Sequence, residues 1–263
     1  MGDEDRGGRR AGGVQSIGRA FAVLELIAAH GGAMGLSRLA GLSGLPLPTL
    51  HRLARTLVDL GYLRQEPSRQ YALGPRLLLL AESSSTMFNS LALPHLRNLV
   101  DELGETANLA MLDGDQVAYV AQAPGRHSMR MFTEVGRRVQ PHCTAVGKAL
   151  LASSSDDDVR ALLRRTGLPR HTPHTMTDPD VFLAALHGVR ASGYALDEGE
   201  QELGVRCVAV ALPSNSTRAA TSISGPLTRM TDELIHNAVP LLTSTASALA
   251  EELDLVDTSE RSA

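Results

Sequence analysis

"LSRLAGLSGLPLPTLHRLARTLVDLGYLRQEPSRQYALG", Leu36 to Gly74, decides how the N-terminal part of the chain folds. A short helix is expected from Ser37 to about Leu42, with the Ser37 hydroxyl as its N-cap. Gly44-Leu45-Pro46-Leu47-Pro48 makes a turn, and Pro48 suits a first helical position, where its missing N–H has no partner to lose. The next helix runs from Thr49 to Leu60 and stops at Gly61. At about 100° per residue, Leu50, Leu53, Ala54, Leu57 and Val58 share one arc, which must face a core. Thr49, Arg52, Arg55 and Thr56 share the opposite arc, with His51 at its edge. Tyr62–Gln65 and Gln70–Leu73 then alternate as two short strands joined by Glu66-Pro67-Ser68-Arg69.

Working outward, Ile17, Phe21, Leu24, Ile27 and Ala28 follow helical spacing from Ser16 to His30, and Gly31-Gly32 ends that helix. Three helices and a hairpin make the winged variant of the helix-turn-helix, spanning residues 14–75. Residues 1–13 are Gly, Arg and acidic residues with almost no apolar content, the composition of a disordered arm. Downstream, Pro75 to about Leu93 predicts a connecting helix and Pro94–Gly104 a separate amphipathic one. Asn108–Leu112 and Val117–Ala121 flank Asp113-Gly114-Asp115 as a hairpin. Further strands are expected at Ser128–Thr133, Cys207–Leu212 and Ala219–Ser224. Helices are expected at Ala145–Ala152, Asp156–Arg165, Asp178–Ala191 and Thr228–Leu253. This mixture predicts an α+β chain: a winged helix-turn-helix, a linker helix over 76–93, a mixed helix-and-strand domain over 94–253, and a frayed tail over 254–263.

The chain of 263 residues is 43% hydrophobic, enough for a sizeable core. Apolar runs such as Leu77 to Ala81 are far too short to cross a bilayer, and the N-terminus lacks the apolar stretch of a signal peptide. Two cysteines, Cys143 and Cys207, make no disulfide framework. A cytoplasmic protein without a membrane partner is the expectation. The net charge of −4 hides an asymmetry. Residues 9–75 carry eight Arg against Glu25, Asp59 and Glu66, a net of +5, whereas residues 76–263 carry a net of −7. The positive field is local to the winged segment, as nucleic-acid binding requires.

Arg can donate two hydrogen bonds to guanine, and Thr and His reach phosphates, base edges or the thymine methyl. The candidate DNA contacts are therefore Thr49, His51, Arg52, Arg55 and Thr56 on the helix, and Ser37 on the helix before it. Arg64 and Arg69 on the wing and Arg9 and Arg10 on the arm are candidates for phosphate neutralisation or minor-groove entry. In the second half, Asp197, Cys207, Ser222 and Ser224 are polar groups near strand ends. Ser222 and Ser224, two apart, point to one face of a strand. With Met131 and Val139 as apolar wall they could line a small pocket, and Ala145 and Val146 open a helix whose free N–H groups favour an anion. Taken singly, each of these is as readily a core or edge residue.

"QSIGRAFAVLELI" (Gln15–Ile27), the stretch Leu36–Leu63, "HCTAVGKALLA" (His142–Ala152), "GYALDEGEQELGVRCVAVAL" (Gly193–Leu212) and "SISGP" (Ser222–Pro226) occur in order. Together they resemble the IclR-type bacterial transcriptional regulators over nearly the whole length from Val14 to Leu253. The resemblance implies a GAF-like effector domain. It further implies that Met131, Val139, Ala145, Val146, Asp197, Cys207, Ser222 and Ser224 hold a small organic acid or related metabolite. The set looks closest to members responding to glyoxylate, pyruvate or allantoin-pathway ureides, with aromatic-acid sensors as the competitor. Thr144-Ala145-Val146 departs from the Ser-Gly-Ala of small-acid members, which puts extra bulk at the pocket floor. The implied function is a sequence-specific regulator, first a repressor relieved by its metabolite and second an activator. It would bind a double-stranded operator as a homodimer or tetramer, with recognition helices roughly 34 Å apart.

Two other functions are weighed. His142-Cys143, or Cys207 with Asp197, could be a thiol nucleophile with its partner, but no spacing supports an enzyme. His171-Thr-Pro-His174 with His142 or Cys143 offers ligand types that zinc accepts, but a complete four-ligand spacing is missing, so no metal or cofactor is expected.

Overall fold

The computed structural model describes residues 14–128, 135–214 and 217–260, without the side chains of 83–89 and 255–260. Contacts divide the chain between Ser84 and Ser85 into two compact units. In the first, α1 (Gln15–Ala29), α2 (Leu36–Ser43) and α3 (Leu47–Asp59) pack with a three-stranded sheet ordered β1-β3-β2, where β1 is Ala33–Met34, β2 Leu63–Gln65 and β3 Tyr71–Leu73. Their core is Val23, Ile27, Leu39, Leu50, Ala54, Leu57, Leu63 and Tyr71. The apolar arc of α3 lies in that core as its periodicity requires.

Several boundaries differ from expectation. Gly35, not Ser37, precedes α2, and no side chain caps it; Ser37 sits exposed inside the first turn. Helix α3 begins at Leu47 because Pro48 is accommodated within the first turn, where no N–H is needed. The third strand, β1, is two residues long, too short to show alternation.

The expected linker and the following helix are one element, α4 (Arg76–Leu103), with Pro94 inside it. Pro94 removes one rung of the backbone ladder, yet flanking apolar residues Ala92, Leu96, Leu99 and Val100 hold the helix on the sheet. The last helix, α8 (Asp232–Glu260), starts later than expected and continues past Asp254 to Glu260, so the tail over 254–260 is helical. The expected strand at 128–133 falls almost wholly outside the described residues.

The second unit holds a six-stranded antiparallel sheet ordered β6-β5-β4-β9-β8-β7. Its strands are β4 (Thr106–Asp113), β5 (Gln116–Ala123), β6 (Arg138–Val139), β7 (Ala195–Glu198), β8 (Val205–Ala211) and β9 (Ala219–Pro226). One face packs on α4 and α8 through Leu96, Leu109, Val208, Val210, Ile223, Leu242 and Leu249. The other face packs on α5 (Ala145–Ala152) through Ala110, Val117, Val146, Ala149, Leu150 and Ala209. Outside α5, α6 (Asp156–Thr166) and α7 (Pro179–Ser192) close over Leu151, Val159, Leu162, Phe182 and Leu186. Among the described residues no helix is long and apolar enough to cross a membrane.

Candidate DNA-binding face and ligand cavity

On α3, His51, Arg52, Arg55 and Thr56 are exposed and Thr49 is half-buried. The polar arc is not uniform. Arg52 and Thr56 border an apolar groove lined by Ile17, Phe21, Leu24, Leu60, Leu77 and Leu80, whereas His51 and Arg55 do not. The Thr56 hydroxyl donates to the Arg52 carbonyl at 3.0 Å, so its proton is spent within the helix. On the wing, the Arg64 guanidinium pairs with Glu66 at 3.1 Å, so a phosphate would compete with that carboxylate for it. Arg69, exposed at the tip, has φ 64 in the left-handed region that side chains rarely adopt. Arg9 and Arg10 lie outside the described residues.

In the second unit, strand register builds a polar row on the α5 face. Asp197 on β7 stands opposite Cys207 on β8, which stands opposite Ser224 on β9, which stands opposite Thr106 on β4. Because side chains alternate across a strand, these groups share a face with Ser222 and Asn108. The Asn108 amide donates to Ser222 at 3.4 Å and Ser224 at 3.2 Å, and receives a bond from Gln122 at 3.0 Å.

At the end of this row lies a cavity of about 40 Å³. Its lining draws Tyr119 from β5, Val139 from β6, Thr144 from the α5 N-cap, Gln201 from the segment after β7, and Asp197, Cys207 and Ser224 from the row. Arg137 and Glu202 stand at its exposed side. Thr144 caps α5, its hydroxyl accepting from Gly147 N–H at 3.2 Å. Residue 147 must be glycine: a Cβ there would lie 2.2 Å from the Pro141 carbonyl oxygen.

Burial shapes the charges. Desolvation pushes the buried Asp197 carboxyl up to about 6, with the Glu200 N–H at 2.7 Å acting against the rise and the Glu200 charge acting with it. Lys148, buried in α5, forms an ion pair with Glu200, whose second oxygen Oε2 has no hydrogen-bond partner among the described residues. Desolvation raises the Tyr119 hydroxyl and the Cys207 thiol, and pushes Cys143 up to about 12. Both thiols therefore stay protonated near neutral pH, the opposite of an activated nucleophile.

Of the residues expected at the ligand site, Val139, Asp197, Cys207 and Ser224 meet at the cavity. Ser222 sits one step behind, held by Asn108, and the Ala145 and Val146 side chains pack into the core beneath α5. Met131 lies outside the described residues. Sequence reasoning missed Tyr119, Arg137, Gln201 and Glu202. Tyr119, Arg137 and the adjacent Gln201 and Glu202 come from three separate segments, and only the Tyr119 position in a hairpin strand carried any local signal.

A winged three-helix unit with an exposed basic helix, followed by a sheet domain with a small polar cavity, is the architecture of a DNA-binding regulator. Comparison with known proteins places it. The IclR helix-turn-helix domain model matches residues 16–67, and the bacterial transcriptional regulator IclR C-terminal model matches residues 82–251. The chain is 37% identical over 231 residues to the transcriptional repressor IclR of Escherichia coli, covering 85% of this chain and 84% of that protein. It resembles the crystal structure of an IclR transcriptional regulator from Alicyclobacillus acidocaldarius with a TM-score of 0.81 and 29% identity, covering 91% and 98% of the two chains. An IclR homolog from Microbacterium hydrocarbonoxydans complexed with 4-hydroxybenzoate matches with a TM-score of 0.78 and 26% identity, covering 92% and 100%. The chain belongs to the IclR family of bacterial transcriptional regulators. It is a DNA-binding regulator of transcription.

Proposed function

We propose that this regulator is a repressor released from its operator by a small organic acid lodged beside Asp197, Cys207 and Ser224. The small cavity, about 40 Å³, carries this reading: room for a few water-sized groups favours a two- or three-carbon oxo acid over a ring. Arg137 is the cation on the lining, and among the described residues no carboxylate pairs with it. It supplies the charge partner for an acid, while Cys207, Ser224 and Thr144 supply short hydrogen bonds. An aromatic acid is the second reading, favoured by the 4-hydroxybenzoate complex of a structural relative.

On DNA, His51 and Arg55 are the base-reading pair, with Arg52, Thr49, Ser37 and Arg69 in supporting contacts and residues 14–75 as the binding module. Ile17, Phe21, Leu78, Leu79 and Leu80 are more than half exposed on α1 and α4, an apolar surface suited to a second copy of the chain. A dimer would present two recognition helices to a pseudo-palindromic operator.

The test is a DNA mobility shift with the chain's own upstream region, repeated with glyoxylate, pyruvate, allantoin and 4-hydroxybenzoate after a thermal-shift screen. The reading expects an oxo acid to stabilise the protein and release DNA. A stabilising oxo acid that leaves DNA affinity unchanged overturns it, and so does stabilisation by 4-hydroxybenzoate alone.

A further inference from the structure

Just outside the cavity wall, three side chains from two distant segments converge. The 3-10 turn Pro141–Cys143 contributes His142 and Cys143 side by side, and the segment between α6 and α7 brings His171. The Cys143 sulfur and one ring nitrogen of each histidine all lie within 4.8 Å of one another. His142 and Cys143 are buried and His171 is exposed, so the cluster has an entrance. We propose that His142, Cys143 and His171 bind a borderline-soft divalent cation of the zinc class through three protein ligands.

The donor set selects the ion. One thiolate and two imidazoles suit zinc, whereas calcium and magnesium require oxygen ligands, and none of the three donors is an oxygen. Its surroundings are those of a ligand shell. The His142 Nε2 donates to the Pro169 carbonyl at 3.1 Å, the usual companion of a ligating imidazole. His171 Nε2 lies 3.5 Å from the Gln140 side-chain oxygen, a bond long enough to yield to a metal.

The backbone holding these residues is fixed from several sides. Gly147 seats the 3-10 turn against α5 through its contact with Pro141. Thr172 and Thr175 each donate to the 199–200 backbone at 2.7 Å, and the His171 N–H donates to Thr175 at 3.1 Å. With metal–nitrogen bonds of about 2.0 Å and metal–sulfur bonds of about 2.3 Å, tetrahedral ligand atoms lie roughly 3.3–3.5 Å apart, so the widest pair closes by up to about 1.5 Å. The exposed His171 ring can supply that movement.

Binding has a defined balance. The Cys143 thiol gives up its proton to solvent as the sulfur–metal bond forms. That thiol now donates to the Gln201 side-chain oxygen at 2.8 Å, so metal binding frees Gln201, which lines the cavity. If the cavity is the effector site proposed above, metal and effector affinities are linked, and the linkage is reciprocal. Metal binding itself does not depend on that reading.

The experiment uses the full chain, stripped with a chelator, titrated with zinc against a chromophoric chelator and with cobalt(II) as an optical probe. Stoichiometric binding is expected, with a thiolate-to-cobalt charge-transfer band in the near ultraviolet. Cys143→Ser should abolish the band, His171→Ala should weaken zinc binding at least about ten-fold, and His174→Ala should leave it unchanged. His171 is exposed, so its variant reports on ligation without disturbing the core. Absence of the thiolate band in the wild type, or equal zinc affinity in His171→Ala and the wild type, overturns the proposal. Neither result bears on whether an oxo acid releases DNA.

Discussion

Asp197 and Cys207 face each other across β7 and β8, a buried carboxyl against a thiol, and among the described residues no guanidinium or ammonium is bonded to the acid. Burial is what raises the carboxyl from its ordinary 3.8 to about 6. Between those values the folded chain holds a proton that the unfolded chain has lost. Stability therefore falls as pH rises from about 4 to 6, by roughly 1.4 kcal/mol per pH unit, on the order of 2–3 kcal/mol in all. Asp197→Asn removes that dependence. Urea unfolding at pH 5 and pH 7.5 should show the variant gaining on the wild type at the higher pH, and a constant difference between them would refute the assignment.

Lys148 and Glu200 form the ion pair that lets α5 carry a charge in the core. Removing one partner leaves the other buried and uncompensated. Lys148→Met should cost about 3–5 kcal/mol, and adding Glu200→Gln should restore most of it. Equal unfolding midpoints for the single and double variants would show that the pair is not coupled.

Gly147 touches the Pro141 carbonyl where any side chain would collide. Gly147→Ala should destabilise by about 1–3 kcal/mol because backbone, unlike a flexible side chain, cannot move aside cheaply. Thermal unfolding reads this directly.

His51 and Arg55 are exposed on α3 away from the apolar groove. Arg55→Ala should weaken operator binding by about 1–3 kcal/mol and relax preference at one base pair, with unfolding unchanged. Fluorescence anisotropy with operator and scrambled duplex decides it; an equal loss on both duplexes would make Arg55 a phosphate contact instead.

Arg69 holds a left-handed backbone at the wing tip. In Arg69→Gly, relief of about 1 kcal/mol of strain roughly offsets the entropy that glycine adds to the unfolded chain. Stability should stay within about 1 kcal/mol of the wild type while DNA affinity falls and its salt dependence becomes shallower. Unchanged affinity at low salt would remove Arg69 from the interface.

The amphipathic period of α1 and α3, the Gly61 stop and the Asp113-Gly114-Asp115 turn act within a few residues, so the sequence alone determined a winged unit and the β4–β5 hairpin. It also placed Asp197, Cys207 and Ser224 near strand ends, where each taken singly is as readily a core or edge residue. What it could not supply was register. Only the pairing of β7, β8 and β9 puts those three side chains in one row, and β7, four residues long, is too short to show a pattern. The same holds for Arg137 and Gln201 at the cavity, for His171 beside His142 and Cys143, and for Lys148 against Glu200. Local propensity acts along the chain, whereas these contacts join segments far apart in it, and long-range packing alone selects their distances.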